Sequence, residues 1–178
     1  LTYDANRKVT VMFGGTTLNT FGAQVTSRET FEWNGNTWLL RAMSGPIPRS
    51  GHAMTYDPNR KRIVLFGGSS SGNPSDTLGD TWEYNGSKWA LRATNGPPSR
   101  TGAAMVYDSA THRTVLYGGV RNGSTWLYDT WEYDGNSGVW SQVQTGLPVG
   151  TSLSQWSPKM AFDSLRQKRV MIDYYSQG

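Results

Sequence analysis

The sequence has no cysteine among its 178 residues, so it can form no disulfide, thiol nucleophile or thiolate metal site. Histidine is scarce as well, with only His52 and His112. No segment keeps helical periodicity over three turns, and no run approaches the roughly 18 apolar residues of a membrane span. A basic-then-apolar leader is also missing, and a chain opening at Leu1 reads as a processed chain or a fragment, compatible with cytoplasm or export. Lys and Arg outnumber Asp and Glu by 17 to 13, giving a net charge of +4, yet no basic block resembles a nucleic-acid tail. A nucleic-acid partner is therefore not expected.

What the sequence does contain is 21 Gly beside eight Trp, nine Tyr and five Phe, which reads as bulky side chains packed between tight turns. These residues recur in order. An aromatic-Asp pair stands at Tyr3-Asp4, Tyr56-Asp57, Tyr107-Asp108 and Phe162-Asp163, at intervals of 53, 51 and 55 residues. Eleven positions after the first three aromatics comes a glycine pair, Gly14-Gly15, Gly67-Gly68 and Gly118-Gly119. An aromatic-Glu-aromatic step follows at Phe31-Glu32-Trp33, Trp82-Glu83-Tyr84 and Trp131-Glu132-Tyr133, and Trp38, Trp89 and Trp140 close the units.

Each unit divides into four short strands, for example Ala53 to Tyr56, Arg62 to Phe66, Thr81 to Tyr84 and Lys88 to Arg92. Asp57-Pro58-Asn59 reads as the first turn; Asn34-Gly35, Asn85-Gly86 and Asp134-Gly135 read as hairpin dipeptides with positive φ available. Second strands such as Ile63-Val64-Leu65-Phe66 are apolar throughout, which predicts burial on both faces. A glycine pair repeated at one register meets a geometric need, either close approach of a neighbouring aromatic ring or positive φ.

With its double glycine ending the second strand and spaced aromatics in the third and fourth, the chain resembles the kelch family. The resemblance implies an all-β, kelch-type β-propeller of about three and a half four-stranded blades, part of a larger ring. Blade 1 is placed at 1–43, blade 2 at 49–94, blade 3 at 100–145, and the inner strands of a fourth at 157–174. Asp173-Tyr174 stands where the fourth glycine pair is expected. A part-ring would leave blade faces uncovered, so the remaining blades are expected from the same chain or another.

Alternate connections of a four-stranded meander leave opposite faces of the disc. The longer, variable loops, Thr16 to Arg28, Ser69 to Gly79 and Val120 to Tyr128, share one face, where the recognition surface is expected. The resemblance places Arg49 and Arg100 at the channel mouth on that face, either to pair with a ligand carboxylate or phosphate or to brace blades through Asp or backbone carbonyls. His52 shares this ambiguity between ligand contact and packing. Trp126 and Trp156 have no counterpart in every repeat and could stack on a sugar or cap the core, whereas the recurrent aromatics read as blade-to-blade core. Asp80 and Asp129 read as turn or inter-blade acceptors, and one carboxylate per blade does not make a metal site. The opposite face carries Arg7, Arg60, Arg113, Arg166 and their basic neighbours, expected to be neutralised by the nearby aspartates.

The leading functional expectation is a binding module for a protein segment or glycan, without a cofactor. The alternatives are an enzyme domain such as a sugar-acid isomerase, or an architectural spacer. The copper-oxidase chemistry of some kelch propellers is excluded here by the missing cysteine. Motif style resembles exported bacterial kelch-repeat proteins, so an extracellular or cell-surface location is expected.

Overall fold

The computed structural model describes residues 1–145 and 158–172, and every regular element among them is a β-strand. Strands β1 (Thr2–Asp4) and β2 (Val9–Phe13) lead into a projecting ribbon of β3 (Thr16–Leu18) and β4 (Gln24–Thr26), then return as β5 (Thr30–Trp33) and β6 (Trp38–Ala42). The second unit is β7 (Ala53–Asp57), β8 (Arg62–Phe66), β9 (Thr81–Tyr84) and β10 (Trp89–Ala93). In the third, β11 (Ala104–Asp108) and β12 (Arg113–Tyr117) precede a ribbon of β13 (Val120–Arg121) and β14 (Thr125–Trp126), followed by β15 (Thr130–Asp134) and β16 (Val139–Gln144). Strands β17 (Lys159–Asp163) and β18 (Lys168–Ile172) pair alone. The three complete sheets are antiparallel meanders in the orders β1-β2-β5-β6, β7-β8-β9-β10 and β11-β12-β15-β16.

The aromatic-Asp pair serves two purposes in this scaffold. The aromatic enters the space between blades, with Tyr56 and Tyr107 at 9% and 8% exposure. The aspartate builds the first turn: Asp57 Oδ1 accepts from the amides of Asn59 and Arg60, and Asp4, Asp108 and Asp163 repeat this pattern.

Positive φ explains the glycine pair in part, at +59° for Gly14 and +69° for Gly67. The second cause is not an aromatic ring. A β-carbon at Gly14 would lie 2.5 Å from the Arg49 carbonyl oxygen, and one at Gly67 would lie equally close to that of Arg100. The next blade's entering backbone is what approaches so closely. Aromatic rings instead press on the linker glycines Gly45 and Gly96, against Trp89 and Trp140 respectively.

Burial on both faces of the second strand is borne out in β8. Ile63 and Leu65 pack with Val11, Phe13, Tyr84 and Trp89 between blades 1 and 2, whereas Val64 and Phe66 pack with Leu116, Tyr133 and Trp140 between blades 2 and 3. Each closing tryptophan also donates across the junction, Trp89 Nε1 to Thr30 Oγ1 at 2.9 Å and Trp140 Nε1 to Thr81 Oγ1 at 2.8 Å. A buried bond of this kind contributes about 0.5–1.5 kcal/mol beyond the apolar burial. In blade 1 the closing Trp38, and Tyr3, which corresponds to Tyr56 and Tyr107, are 41% and 54% exposed.

Blade 3 departs from the expected hairpin. Gly35 and Gly86 adopt positive φ as predicted, but Gly135 does not. Two additional residues lie between Tyr133 and Trp140 relative to Tyr84 and Trp89, which moves the positive φ to Gly138, whose amide donates to Asp134 O.

Candidate functional site

The connections between second and third strands form a continuous surface. Expected as irregular loops, two of them are β-ribbons, β3-β4 and β13-β14, and the one between them is tied down by bridges pairing Ser69 with Ser50 and Thr77. Neighbouring connections touch. Thr26 Oγ1 donates to the Ser70 carbonyl, joining the first to the second, and Thr77 Oγ1 reaches Asn122 Oδ1 at 3.4 Å, joining the second to the third. A β-carbon on Gly123 would come within 2.8 Å of Ser75 Oγ, so the third ribbon lies directly on the middle connection.

This surface carries an aromatic residue that the sequence pattern did not single out. Phe21, at the tip of β3-β4, is 93% exposed, with Leu18 at 64% and Val25 at 37% beside it. The tip is held by Asn19: its side-chain oxygen accepts from the amides of Phe21 and Ala23 while its own amide donates to Ala23 O. An exposed ring on a braced turn is already positioned for a partner and loses little freedom on binding. The signal available in the sequence was Asn19-Thr20-Phe21-Gly22, an aromatic inside turn residues at a point where no repeat landmark calls for one. Arg121 and Asn122 are exposed at the tip of β13-β14, while Trp126 pairs with Val120 and is half-buried at that ribbon's base. Trp156 lies outside the described residues.

Arg49 and Arg100 occupy a different environment, at 0% and 1% exposure. Arg49 clamps Asp80 with two bonds, of 2.6 and 2.9 Å, donates to Gly67 O at 3.0 Å and to Ile47 O through Nε. Arg100 repeats this on Asp129, Gly118 O and Pro98 O. Their backbones belong to the preceding junction: Arg49 N donates to Ser27 O and Gly15 N donates to Arg49 O, and Arg100 makes the same bonds with Leu78 and Gly68. Each arginine thus fastens one blade to the next. Every guanidinium nitrogen is engaged, which is the bracing alternative rather than an open ligand contact. Asp80 and Asp129 also accept from Trp82 Nε1 and Trp131 Nε1. Burial alone would raise these two carboxyls, but the arginine bonds and charge outweigh it and hold both below their ordinary range.

His52 lines a cavity of about 290 Å³ with Met54, Met105 and Met160. Its ring meets Phe13 edge-on at 5.5 Å, and its Nδ1 has no hydrogen-bond partner among the described residues. Burial, with the Arg49 charge adding to it, pushes the imidazole down to about 3, so it is neutral at physiological pH.

On the opposite face Arg7, Arg60, Arg113, Arg166 and Arg169 pair with carboxylates, whereas Lys8, Lys61, Arg62 and Lys168 make no ion pair among the described residues. Arg60 pairs with Glu83 at 2.6 Å and with Asp57 at 3.4 Å, and Arg92 reaches the same glutamate. Arg7 and Arg41 do likewise with Asp4 and Glu32. Blade 3 has Thr111 and Val143 at the corresponding positions, and Arg169 of β18 reaches across to pair with Asp108 and Glu132 instead. Tyr84 and Tyr133 complete the network by donating to the preceding blade's Glu32 and Glu83.

Among the described residues no cluster of three or more His, Cys, Asp or Glu side chains could hold a metal ion, and no helix is long and apolar enough to cross a membrane. Four-stranded meanders joined through glycine pairs and closing tryptophans, with variable connections on one side, define a β-propeller of kelch-type blades. The KLHDC2/KLHL20/DRC7 Kelch-repeats domain model matches residues 2–161, and the chain belongs to that family. It is 32% identical over 149 residues to Mei4-dependent protein 6 of Schizosaccharomyces pombe (strain 972 / ATCC 24843), a match covering 76% of this chain and 20% of that protein. The solved structure of YjhT is similar in fold, with a TM-score of 0.62 and 17% identity, over 81% of this chain and 50% of YjhT. The chain therefore spans about a fifth of the curated relative and half of the solved one.

Proposed function

We propose that this kelch-repeat chain is a protein-binding module whose contact surface is the loop face formed by β3-β4, residues 69–79 and β13-β14. One observation carries this reading: Phe21 is presented to solvent on a braced tip, within a face whose three connections support each other. The repeated aromatics and the arginine clamps support it indirectly, because they are consumed in holding blades together and leave specificity to the variable connections. The net charge of +4, with Arg121 exposed on this face, favours a segment that places an apolar anchor beside acidic side chains. An extracellular or cell-surface setting is part of the same proposal, resting on the resemblance of the blade motifs to exported bacterial kelch-repeat proteins.

The test is selection of binders from displayed peptide libraries, with an immobilised glycan panel in parallel, followed by remeasurement on Phe21→Ala and Arg121→Ala. Selected peptides should lose at least about tenfold in affinity on Phe21→Ala, as a hot-spot aromatic does. Peptides indifferent to both substitutions, or selection from the glycan panel alone, refute the proposal.

A further inference from the structure

The turns that join first to second strands leave the sheets opposite the loop face and share one backbone path. In each, the residue four places after the aspartate has positive φ, +57° at Lys8, +53° at Lys61, +55° at His112 and +54° at Gln167. Glycine or asparagine sits there with less strain, yet all four turns carry a larger polar side chain. Neighbouring turns also touch. Asn59 Nδ2 lies 2.7 Å from His112 Nδ1, and Arg169 Nη2 donates to Thr111 Oγ1 at 3.4 Å, so the second, third and fourth form a continuous rim.

Charge on this rim is one-sided. Residues 4–9, 57–62, 108–113 and 163–168 together hold eight Lys and Arg against four Asp and no Glu. The aspartates face inward: Asp4, Asp57 and Asp108 are each 4% exposed and accept from the amides of their own turns. Arg7, Arg60 and Arg166 pair with the aspartates of their turns, whereas Lys8, Lys61 and Lys168 are exposed and make no ion pair among the described residues. Arg62 donates to the carbonyls of Arg60 and Lys61 instead of to a carboxylate. The fourth turn adds an apolar tip. Leu165 is 95% exposed, its amide held by Asp163 Oδ1, with the exposed Arg166 and Lys168 beside it.

With its carboxylates withdrawn and its free cations spaced along the turns, the rim presents charge of one sign and one apolar side chain. An anionic bilayer matches that pattern, because it offers dispersed phosphate and carboxylate charge to the cations and an acyl boundary to the leucine. We infer that the first-turn rim is a peripheral docking surface for an anionic lipid bilayer, with Lys8, Lys61, Arg62 and Lys168 on the headgroups and Leu165 inserted at the acyl boundary. The loop face then points away from the membrane, so this inference and the proposed peptide binding can fail independently.

The test is cosedimentation of the 178-residue chain with phosphatidylcholine vesicles and with vesicles containing about one-third phosphatidylserine. Binding is expected to the anionic vesicles alone, and should weaken at least about tenfold as salt rises from about 0.05 M to about 0.5 M. Lys8→Asn and Lys61→Asn each remove one charge where asparagine tolerates the backbone, so circular dichroism should show an intact fold while vesicle binding falls about fivefold per substitution. Leu165→Ser should weaken binding about threefold without abolishing the salt dependence. No binding to either vesicle, equal binding to both, or binding indifferent to the lysine substitutions overturns the inference. Vesicle binding that survives the lysine substitutions but is lost on Phe21→Ala would put the loop face on the membrane and overturns it as well. So does Leu165→Ser without effect combined with tighter binding to polyglutamate than to vesicles, since the rim would then take an acidic protein segment.

Discussion

Removing the aspartate of an arginine clamp should cost more than removing the arginine, because the two partners differ in access to water. Arg49 has no exposed side-chain surface, whereas the Asp80 side chain is 23% exposed. In Asp80→Ala the guanidinium keeps its bonds to Gly67 O and Ile47 O but stays charged, buried and without a counterion, the situation that costs about 3–5 kcal/mol. In Arg49→Met the stem volume is largely retained, and the carboxylate can take water where the guanidinium was while keeping its bond from Trp82, so we expect about 1–2 kcal/mol. The double variant Arg49→Met/Asp80→Ala should fall short of the sum by about 2 kcal/mol, because the stranded charge is gone. At the second clamp the Asp129 side chain is only 11% exposed, so Arg100→Met should cost more than Arg49→Met. Equilibrium urea unfolding followed by circular dichroism measures all of these on one scale. Equal costs for Asp80→Ala and Arg49→Met, or strict additivity in the double variant, would refute the reasoning.

Two further predictions follow from the same junctions. Gly67→Ala should destabilise the chain by more than about 2 kcal/mol, since an alanine at φ +69° costs about 1–2 kcal/mol and its methyl would also meet the Arg100 carbonyl at 2.5 Å; a change under 1 kcal/mol would mean that the backbone contact is slack. Tyr84, Tyr107 and Tyr133 are pushed up to about 12, first by burial and then by Glu32, Asp57 and Glu83 respectively, so phenolate absorbance should show three tyrosines ionising near pH 12. Because the folded value lies above the unfolded value of about 10, their stabilising contribution is complete below pH 10 and lost as pH rises towards 12. Thermal melts between those limits should fall, and a flat profile would contradict the buried placement.

Strand order, blade count and the two-faced burial of β8 were legible because each depends on a residue type repeated at a fixed register. A period of 51 to 55 residues carries that information without any knowledge of contacts. What the repeat could not convey was which atoms meet. The same glycine pair was compatible with a ring or a carbonyl as its neighbour, and only the path of Arg49 into the next blade decides between them. Arg49 and Arg100 were conspicuous for a structural reason: a repeated arginine is what a repeated junction requires. Phe21, like Trp126, stands outside the repeat, and sequence does not separate the two: one is exposed on the Asn19-braced tip and the other is half-buried at a ribbon's base. The Arg169 cross-connection was equally invisible, because it replaces Thr111 in space and not in sequence.

The central claim is that recognition belongs to the loop face, and amide hydrogen exchange with and without a selected peptide tests it most directly. Protection should concentrate in residues 16–28, 69–79 and 120–128 and leave the turns at Asp4, Asp57 and Asp108 unchanged. Protection confined to those turns, or to the outer strands β6, β10 and β16, would contradict it.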